Sequence, residues 1–125
     1  MKRAVIIGAT SGIGREVAVR LLEKGWKVGV AGRRKEELDA LQDKYGEDKV
    51  HTAVLDVMQP ESVGILDTLI ESLGSPDLFL YSSGIGRQNR ELDVDLEVNT
   101  VRTNCEGMVR LVDHFLNHVR RSPDY

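Results

Sequence analysis

The chain has 125 residues, with 17 Lys and Arg against 20 Asp and Glu and a formal net charge of -3. This length is typical of one domain that folds without a structural metal or disulfides, and the single cysteine, Cys105, excludes an internal disulfide. Without a basic excess we expect no nucleic-acid partner. The apolar stretches are far shorter than the ~20 residues that span a bilayer, so we expect no membrane association. The sequence predicts one soluble, cytoplasmic domain over residues 1–125.

Short β-branched runs alternate with segments of helical period along the chain, a pattern typical of βαβ units. The predicted strands cover residues 3–7, 27–31, 50–55 and 78–81. The predicted helices cover 12–24, a polar segment around 38–45 that ends at Gly46, 60–73, and a long last element with apolar residues between 101 and 119. Residues 82–94 are predicted as a loop. Right-handed crossovers turn this order into an α/β, Rossmann-like, doubly wound parallel sheet with strand order 3-2-1-4.

A glycine-rich turn follows the first predicted strand directly and contains Gly8, Gly12 and Gly14. Glycines at such a turn let the backbone approach a pyrophosphate, whose charge then meets the unpaired amides at a helix N-terminus. The position between a buried strand and an amphipathic helix is the context that this mechanism requires. The alternative is a tight strand-to-helix connection that holds no ligand.

Five segments in order resemble the short-chain dehydrogenases and reductases. Residues 7–14 match the opening TGxxxGxG except that Ile7 replaces the leading Thr, and residues 104–107 match NxxG. Between them lie AGRR at 31–34, LDV at 55–57 and YSSG at 81–84, the last standing where the family has NNAG. The resemblance covers essentially the whole chain. It implies the N-terminal, cofactor-binding half of that fold, truncated before the later strands.

The resemblance also implies roles for individual residues. Asp56 and Val57 would contact adenine, although Asp56 could instead cap the approach to the next helix. Ser82 and Gly84 would lie near the nicotinamide ribose, where Ser82 replaces the Asn of the family. Asn104 would bend its helix and support a catalytic lysine through water. The residues expected around the pyrophosphate are Gly8, Thr10, Ser11, Gly12, Ile13 and Gly14.

Two arginines bear on the choice of cofactor. Arg33 stands 19 residues after Gly14, where dinucleotide-binding folds with an NAD preference carry an acidic residue. A guanidinium offers charge and paired donors to a 2'-phosphate. Arg33 and Arg34 therefore favour NADP (NADPH) over NAD, unless they form a solvated basic corner opposite Glu36 and Glu37.

The catalytic residues of the family, a Ser and a Tyr and Lys spaced as YxxxK, are not found at the matching positions. Tyr45 and Lys49 have the spacing but lie too early in the chain, with Gly46 between them, and Tyr125 is the last residue. We therefore predict that the chain binds NADP for a carbonyl reductase or alcohol dehydrogenase but is inactive alone. The alternatives are a non-catalytic NADP-binding or sensing module and a fold remnant that serves as an interaction domain.

Two features predict a homo-oligomer. Strand 78–81 would form an open edge of the sheet with no charge to interrupt it. Apolar residues on the last helix follow each other at spacings of four and three, which suits packing against another helix unless the chain's own sheet covers them. These residues are Val101, Cys105, Met108, Val112, Phe115 and Val119. Cys105 is expected in the core or in an interface. No metal site is expected, because His114 and His118 lack a third ligand.

Overall fold

The protein is described by a computed structural model over residues 1–10, 12–82 and 93–121. Four parallel strands form one sheet in the order β3-β2-β1-β4, as the sequence predicts. The strands are β1 (Arg3–Ile7), β2 (Lys27–Gly32), β3 (Val50–Val54) and β4 (Leu78–Tyr81). In register, Val5 of β1 lies between Gly29 of β2 and Phe79 of β4.

Helices connect the strands and follow the last one. They are α1 (Gly12–Glu23), α2 (Lys35–Tyr45), α3 (Ser62–Leu73), α4 (Val94–Val101), a π-helical turn (Arg102–Glu106) and α5 (Gly107–Arg120). Gly46 has a φ of 95° and ends α2, because glycine enters the left-handed region at low cost. The predicted bounds of α1, β2 and β3 differ from these by one residue.

The predicted start of α3 at Pro60 is wrong. The amide of Gln59 donates to the carbonyl of Asp56, and the amide of Ser62 donates to the carbonyl of Gln59, each at 3.0 Å. Two consecutive turns therefore occupy the segment after β3, and the helix begins at Ser62. The predicted loop over residues 82–94 falls mostly on 83–92, which lie outside the described residues, and its last residue, Val94, already belongs to α4.

Two apolar cores cover the two faces of the sheet. On one face, Val5 and Ile7 pack with α3 and α5, and Leu66 and Leu111 are fully buried there. On the other face, Ile6, Val28 and Val30 pack with α1 and α2. Burial on both faces explains why the first strand is apolar at nearly every position.

The last helix does not bury the predicted stripe as one face. Leu111 is buried, and Phe115 stacks on Phe79 with ring centroids 4.3 Å apart. Cys105 is exposed and Met108 is 43% exposed, so Cys105 does not lie in the core of the chain, whereas its place in an interface stays a prediction. The π turn holds more residues than an α turn, and it therefore rotates the residues before it relative to those after it. Within the described residues, no helix is long and apolar enough to cross a membrane.

Candidate functional site

The predicted site residues follow the carboxyl ends of the four strands. Gly8 comes directly after β1, Arg33 after β2 and Ser82 after β4, while Asp56 lies two residues beyond β3. The chain runs from β1 outward through β2 to β3 and then crosses to β4 on the other side of β1. The connection thus changes direction between β1 and β4, and open α/β sheets bind ligands outside the carboxyl ends of the strands at such a point.

The glycine-rich turn is closely packed at this point. Gly8 has a φ of 88° and Gly12 a φ of 61°, both in the left-handed region that side chains disfavour. A Cβ atom on Gly14 would lie 2.2 Å from the carbonyl oxygen of Gly8 and 3.3 Å from Cβ of Ser82. The glycines therefore bring the start of α1 against the ends of β1 and β4.

The turn also contacts the end of β2. The amides of Gly8 and Ala9 both donate to the carbonyl oxygen of Ala31, at 2.8 and 3.2 Å. A Cβ atom on Gly32 would lie 2.6 Å from Cγ2 of Thr10. Thr10 thus lies against Gly32, the residue that precedes Arg33, and joins the glycine-rich turn to the arginine pair.

Three side chains at this edge are open to solvent. Arg33 and Arg34 are exposed, and neither makes an ion pair with the part of the chain that the structure describes. Ile13 is 74% exposed although it stands in the first turn of α1. A ligand at the carboxyl edge can therefore contact the apolar side chain of Ile13 and the two guanidinium groups of Arg33 and Arg34.

Asp56 shapes the turn that follows β3. Its Oδ1 accepts a hydrogen bond from the amide of Met58 at 2.9 Å, and its carboxylate is half-buried. Because α3 begins only at Ser62, Asp56 does not cap that helix directly. Val57, next to it, is 4% exposed.

The family model for short chain dehydrogenases matches residues 2–123. The chain belongs to the short-chain dehydrogenase family. An uncharacterised oxidoreductase of Staphylococcus haemolyticus is 34% identical over 109 residues, which are 85% of this chain and 47% of that protein. Sulfoacetaldehyde reductase 2 of Chromohalobacter salexigens is 35% identical over 112 residues, which are 86% of this chain and 44% of that enzyme. The chain thus spans about half the length of the curated relatives it matches.

The fold is also similar to about half of the chain in solved structures of larger proteins. A variant of the actinorhodin polyketide ketoreductase with NADPH superposes with a TM-score of 0.80 at 30% identity, covering 92% of this chain and 46% of that one. The chain therefore has the Rossmann-like architecture that its sequence predicts.

Asn104 lies in the π turn between α4 and α5 and is half-buried. Directly after that turn, Gly107 is in close contact with the sheet. A Cβ atom on Gly107 would lie 2.8 Å from Cγ2 of Val57 and 3.0 Å from Oη of Tyr81. Gly107, the glycine of the NxxG segment, thus leaves room for Tyr81, which stands at the first position of the segment that matches NNAG.

The Tyr and Lys pair with YxxxK spacing does not lie at the carboxyl edge of the sheet, in agreement with its early place in the chain. Tyr45 ends α2 and Lys49 precedes β3, which places both at the amino edge of the sheet. Nζ of Lys44 lies 5.4 Å from the Tyr45 ring. Ser11, Gly84 and Tyr125 lie outside the described residues.

The two histidines of α5 contact different residues. Nε2 of His114 lies 2.6 Å from Oδ1 of Asp67 on α3, while the ring of His118 stacks near Phe115. Among the described residues, no group of three His, Cys, Asp or Glu side chains could hold a metal ion.

Sequence reasoning missed Arg110. Its Nη1 donates to the carbonyl oxygen of Val57 at 2.7 Å, across 53 residues of chain. Arginine on a polar helix face carries no local signal of such a bond, because its partner is a backbone atom on another element. Only the resemblance around Asn104 and Gly107 indicated that this part of the last helix faces the site.

Proposed function

We propose that the chain is the NADP-binding part of a short-chain dehydrogenase that transfers a hydride between NADPH and a carbonyl or alcohol substrate. The observation that carries this proposal is the contact between Gly14 and Gly8. Because neither Gly12 nor Gly14 carries a side chain, a pyrophosphate can approach the backbone at the start of α1, where the sheet changes direction. The relatives named as an oxidoreductase and as a reductase support the reaction class.

The residues at the carboxyl edge fit a dinucleotide in their chemistry. Backbone amides at Gly12, Ile13 and Gly14 begin α1, where unpaired donors and the helix dipole favour an anion. The second oxygen of the Asp56 carboxylate, Oδ2, makes no hydrogen bond within the described part of the chain and can accept one from the adenine amino group. Bound NADPH would supply the hydride, and these residues would hold and orient it.

The preference for NADP rests on Arg33 and Arg34. Both are exposed at the end of β2, next to the contact of Thr10 with Gly32. A 2'-phosphate on the adenosine ribose would receive two guanidinium groups there, whereas an acidic residue would repel it. The NADPH named with the actinorhodin ketoreductase structure supports this choice.

The chemical step of the family uses a Ser together with a Tyr and a Lys that are spaced as YxxxK. YxxxK spacing occurs once in the 125 residues, at Tyr45 and Lys49, and both lie at the amino edge of the sheet. We therefore propose cofactor binding without turnover for this chain alone. The same observation favours a second candidate, a non-catalytic module that binds or senses NADP.

Calorimetric titration of the 125-residue chain with NADPH and with NADH tests the proposal. Binding of NADPH, tighter than that of NADH, is the expected result. Absence of binding of either nucleotide at millimolar concentration would contradict both candidate functions and leave the fold as an interaction domain.

We also propose that the chain self-associates through α4 and α5. Apolar side chains on these helices remain open although α5 already covers the sheet. The most exposed are Val94, Val98, Met108, Val109 and Leu116, at 70%, 49%, 43%, 53% and 57%. Exposed apolar side chains of this kind suit contact with the same helices of another copy.

A further inference from the structure

Arg110 on α5 reaches the turn that follows β3. Its Nη1 donates to the carbonyl oxygen of Val57 at 2.7 Å, and its side chain is 22% exposed. A charged hydrogen bond in a partly buried place is stronger than a neutral one at the surface. The bond therefore fixes the backbone of Val57 to α5.

A second group holds Arg110 in place. Oε1 of Glu106 accepts from Nη2 of Arg110 at 3.0 Å, and Oε2 of the same carboxylate accepts from Nε of Arg102 at 3.0 Å. The hydrogen bond from Arg102, followed by the charges of Arg102 and Arg110, lowers the pKa of Glu106. Glu106 is thus ionised at neutral pH and orients the guanidinium whose other nitrogen meets Val57.

The same turn of α5 also fits the Val57 side chain. A Cβ atom on Gly107 would lie 2.8 Å from Cγ2 of Val57, so that only glycine allows this approach. Leu111, one turn further, is fully buried in the core cluster that contains Val57 and Leu55. Side chain and carbonyl of Val57 are therefore both held by α5, which leaves the turn little freedom.

We propose that Arg110 is a positioning residue for the adenosine end of the nucleotide site: by holding the Val57 carbonyl, it fixes the turn in which Asp56 would receive adenine. This inference rests on the proposed function. Asp56 already bonds the amide of Met58 at 2.9 Å, so the carboxylate moves with the turn that Arg110 fixes. Nothing in this role requires Arg110 to touch the nucleotide.

The test uses adenosine 2',5'-bisphosphate as the probe, titrated calorimetrically into the unmutated chain and three variants. Arg110→Met removes the donors, and we expect about tenfold weaker binding, the usual effect of losing a charged hydrogen bond. Arg110→Lys keeps the charge with a single donor group and should recover part of the affinity. Arg120→Met is the control, because Arg120 lies at the far end of α5 and bonds only Asn117 of the described residues, and it should bind within about twofold of the unmutated chain.

Amide hydrogen exchange gives a readout that loss of stability alone would not produce. In Arg110→Met the amide of Met58 should exchange faster, while the amide of Gly46, which bonds the Gln42 carbonyl at 2.7 Å, should keep its rate. Equal acceleration at both amides would show a general structural role and overturn the inference. If Arg110→Met does not fold, Arg110→Lys and Glu106→Gln, measured in the same way, decide.

The two proposals fail in different ways. If the unmutated chain binds the bisphosphate and Arg110→Met binds it equally well, the positioning role is wrong and the proposed function stands. If the unmutated chain does not bind the bisphosphate, the proposed function fails and the inference with it. Selective exchange at Met58 would then show only that Arg110 holds the turn.

Discussion

Gly14 lies so close to Gly8 that a methyl group on it would come within 2.2 Å of the Gly8 carbonyl oxygen. The obstacle is backbone at the end of a central strand, which cannot rotate away as a side chain could. Gly14 therefore fixes both the packing of α1 on the sheet and the open space at its N-terminus. A Cβ atom added at Gly14 would therefore disturb both the packing of the fold and the binding of a ligand.

We predict that Gly14→Ala lowers the free energy of unfolding by about 1–3 kcal/mol, the usual cost of overpacking, and abolishes NADPH binding. Gly64→Ala is a matched control. Gly64 also lies in a helix, but a Cβ atom there has no heavy atom within 4 Å. Because alanine is the better helix former, the control should gain about 0.5–1 kcal/mol. Urea denaturation measures both changes, and an equal effect of the two substitutions would contradict the packing argument.

The fold follows from local patterns to a large extent. Residues 4–7 are all apolar and are all fully buried, as a central strand of a parallel sheet requires. Strand order 3-2-1-4 is the start of the common doubly wound order, and right-handed crossovers then place the helices on both faces of the sheet. These features could be predicted because each depends on neighbouring residues or on a general rule of chain connection.

The site could be predicted only in part. Gly8, Arg33, Asp56 and Ser82 all follow strand ends, so their common edge is a consequence of the parallel sheet. The resemblance implied a bend of the helix at Asn104, but the π turn at Arg102–Glu106 that contains Asn104 could not be predicted, because no simple residue pattern signals the change of helical period. It displaced the predicted apolar stripe and left Cys105 exposed. The hydrogen bond from Arg110 to the Val57 carbonyl oxygen could not be predicted from the sequence either.

Arg33 is the sharpest test of cofactor choice. Arg33→Asp replaces attraction for a 2'-phosphate by repulsion and provides an acceptor for a ribose hydroxyl. We expect NADPH affinity to fall by at least about tenfold and the preference to shift to NADH. Arg20→Asp, an equal change of charge on the exposed face of α1, should leave the preference unchanged. Calorimetric titration of both cofactors decides, and equal affinities in the unmutated chain would refute the assignment.

His51 on β3 predicts a dependence of stability on pH. Burial lowers the pKa of His51 below its ordinary value of 6.5, and the charge of Lys27 acts in the same direction, against an opposing effect of Asp48. The unfolded chain therefore takes up the proton more readily than the folded one. The contribution of neutral His51 to the free energy of unfolding is therefore fully present above about pH 6.5, and it is lost as the pH falls through the lower pKa that His51 has in the folded state.

We expect His51→Gln to reduce the fall in unfolding free energy between about pH 7.5 and pH 5.5. Ser72→Ala serves as the control. Its hydroxyl lies 3.1 Å from Nδ1 of His51, but its removal leaves the imidazole in the same place beside Lys27. The control should keep the pH dependence, since burial is the main cause of the lowered pKa. A pH dependence unchanged in His51→Gln would show that other groups produce it.

Turnover is predicted to be absent from the 125-residue chain alone. Tyr45 and Lys49 lie at the amino edge of the sheet, away from the glycine-rich turn, so this Tyr and Lys pair cannot transfer a proton at the site. NADPH absorbance should stay constant over a panel of aldehydes and ketones, among them sulfoacetaldehyde. Turnover that disappears in Tyr45→Phe or Tyr125→Phe would show that the chemistry is assigned wrongly.

Self-association is predicted from the apolar face of the last helices. Met108 and Leu116 are 43% and 57% exposed on α5, while Leu111 and Phe115 of the same helix pack on the sheet. Part of the apolar surface of α5 is therefore packed within the chain and part is open to solvent. Burial of the open part against a second copy would remove apolar surface from water and stabilise the complex by about 25 cal/mol per Å².

Sedimentation equilibrium over a range of concentrations measures this association, and we expect a dimer or larger species. Met108→Lys and Leu116→Lys should each shift the equilibrium toward monomer, because each would place a charge among the apolar side chains of α5. Val54→Lys is the control, since Val54 is similarly exposed, at 49%, but lies on β3 at the opposite edge of the sheet. Equal weakening by all three variants would assign the effect to net charge rather than to α5, and a monomer at every concentration would reject the interface.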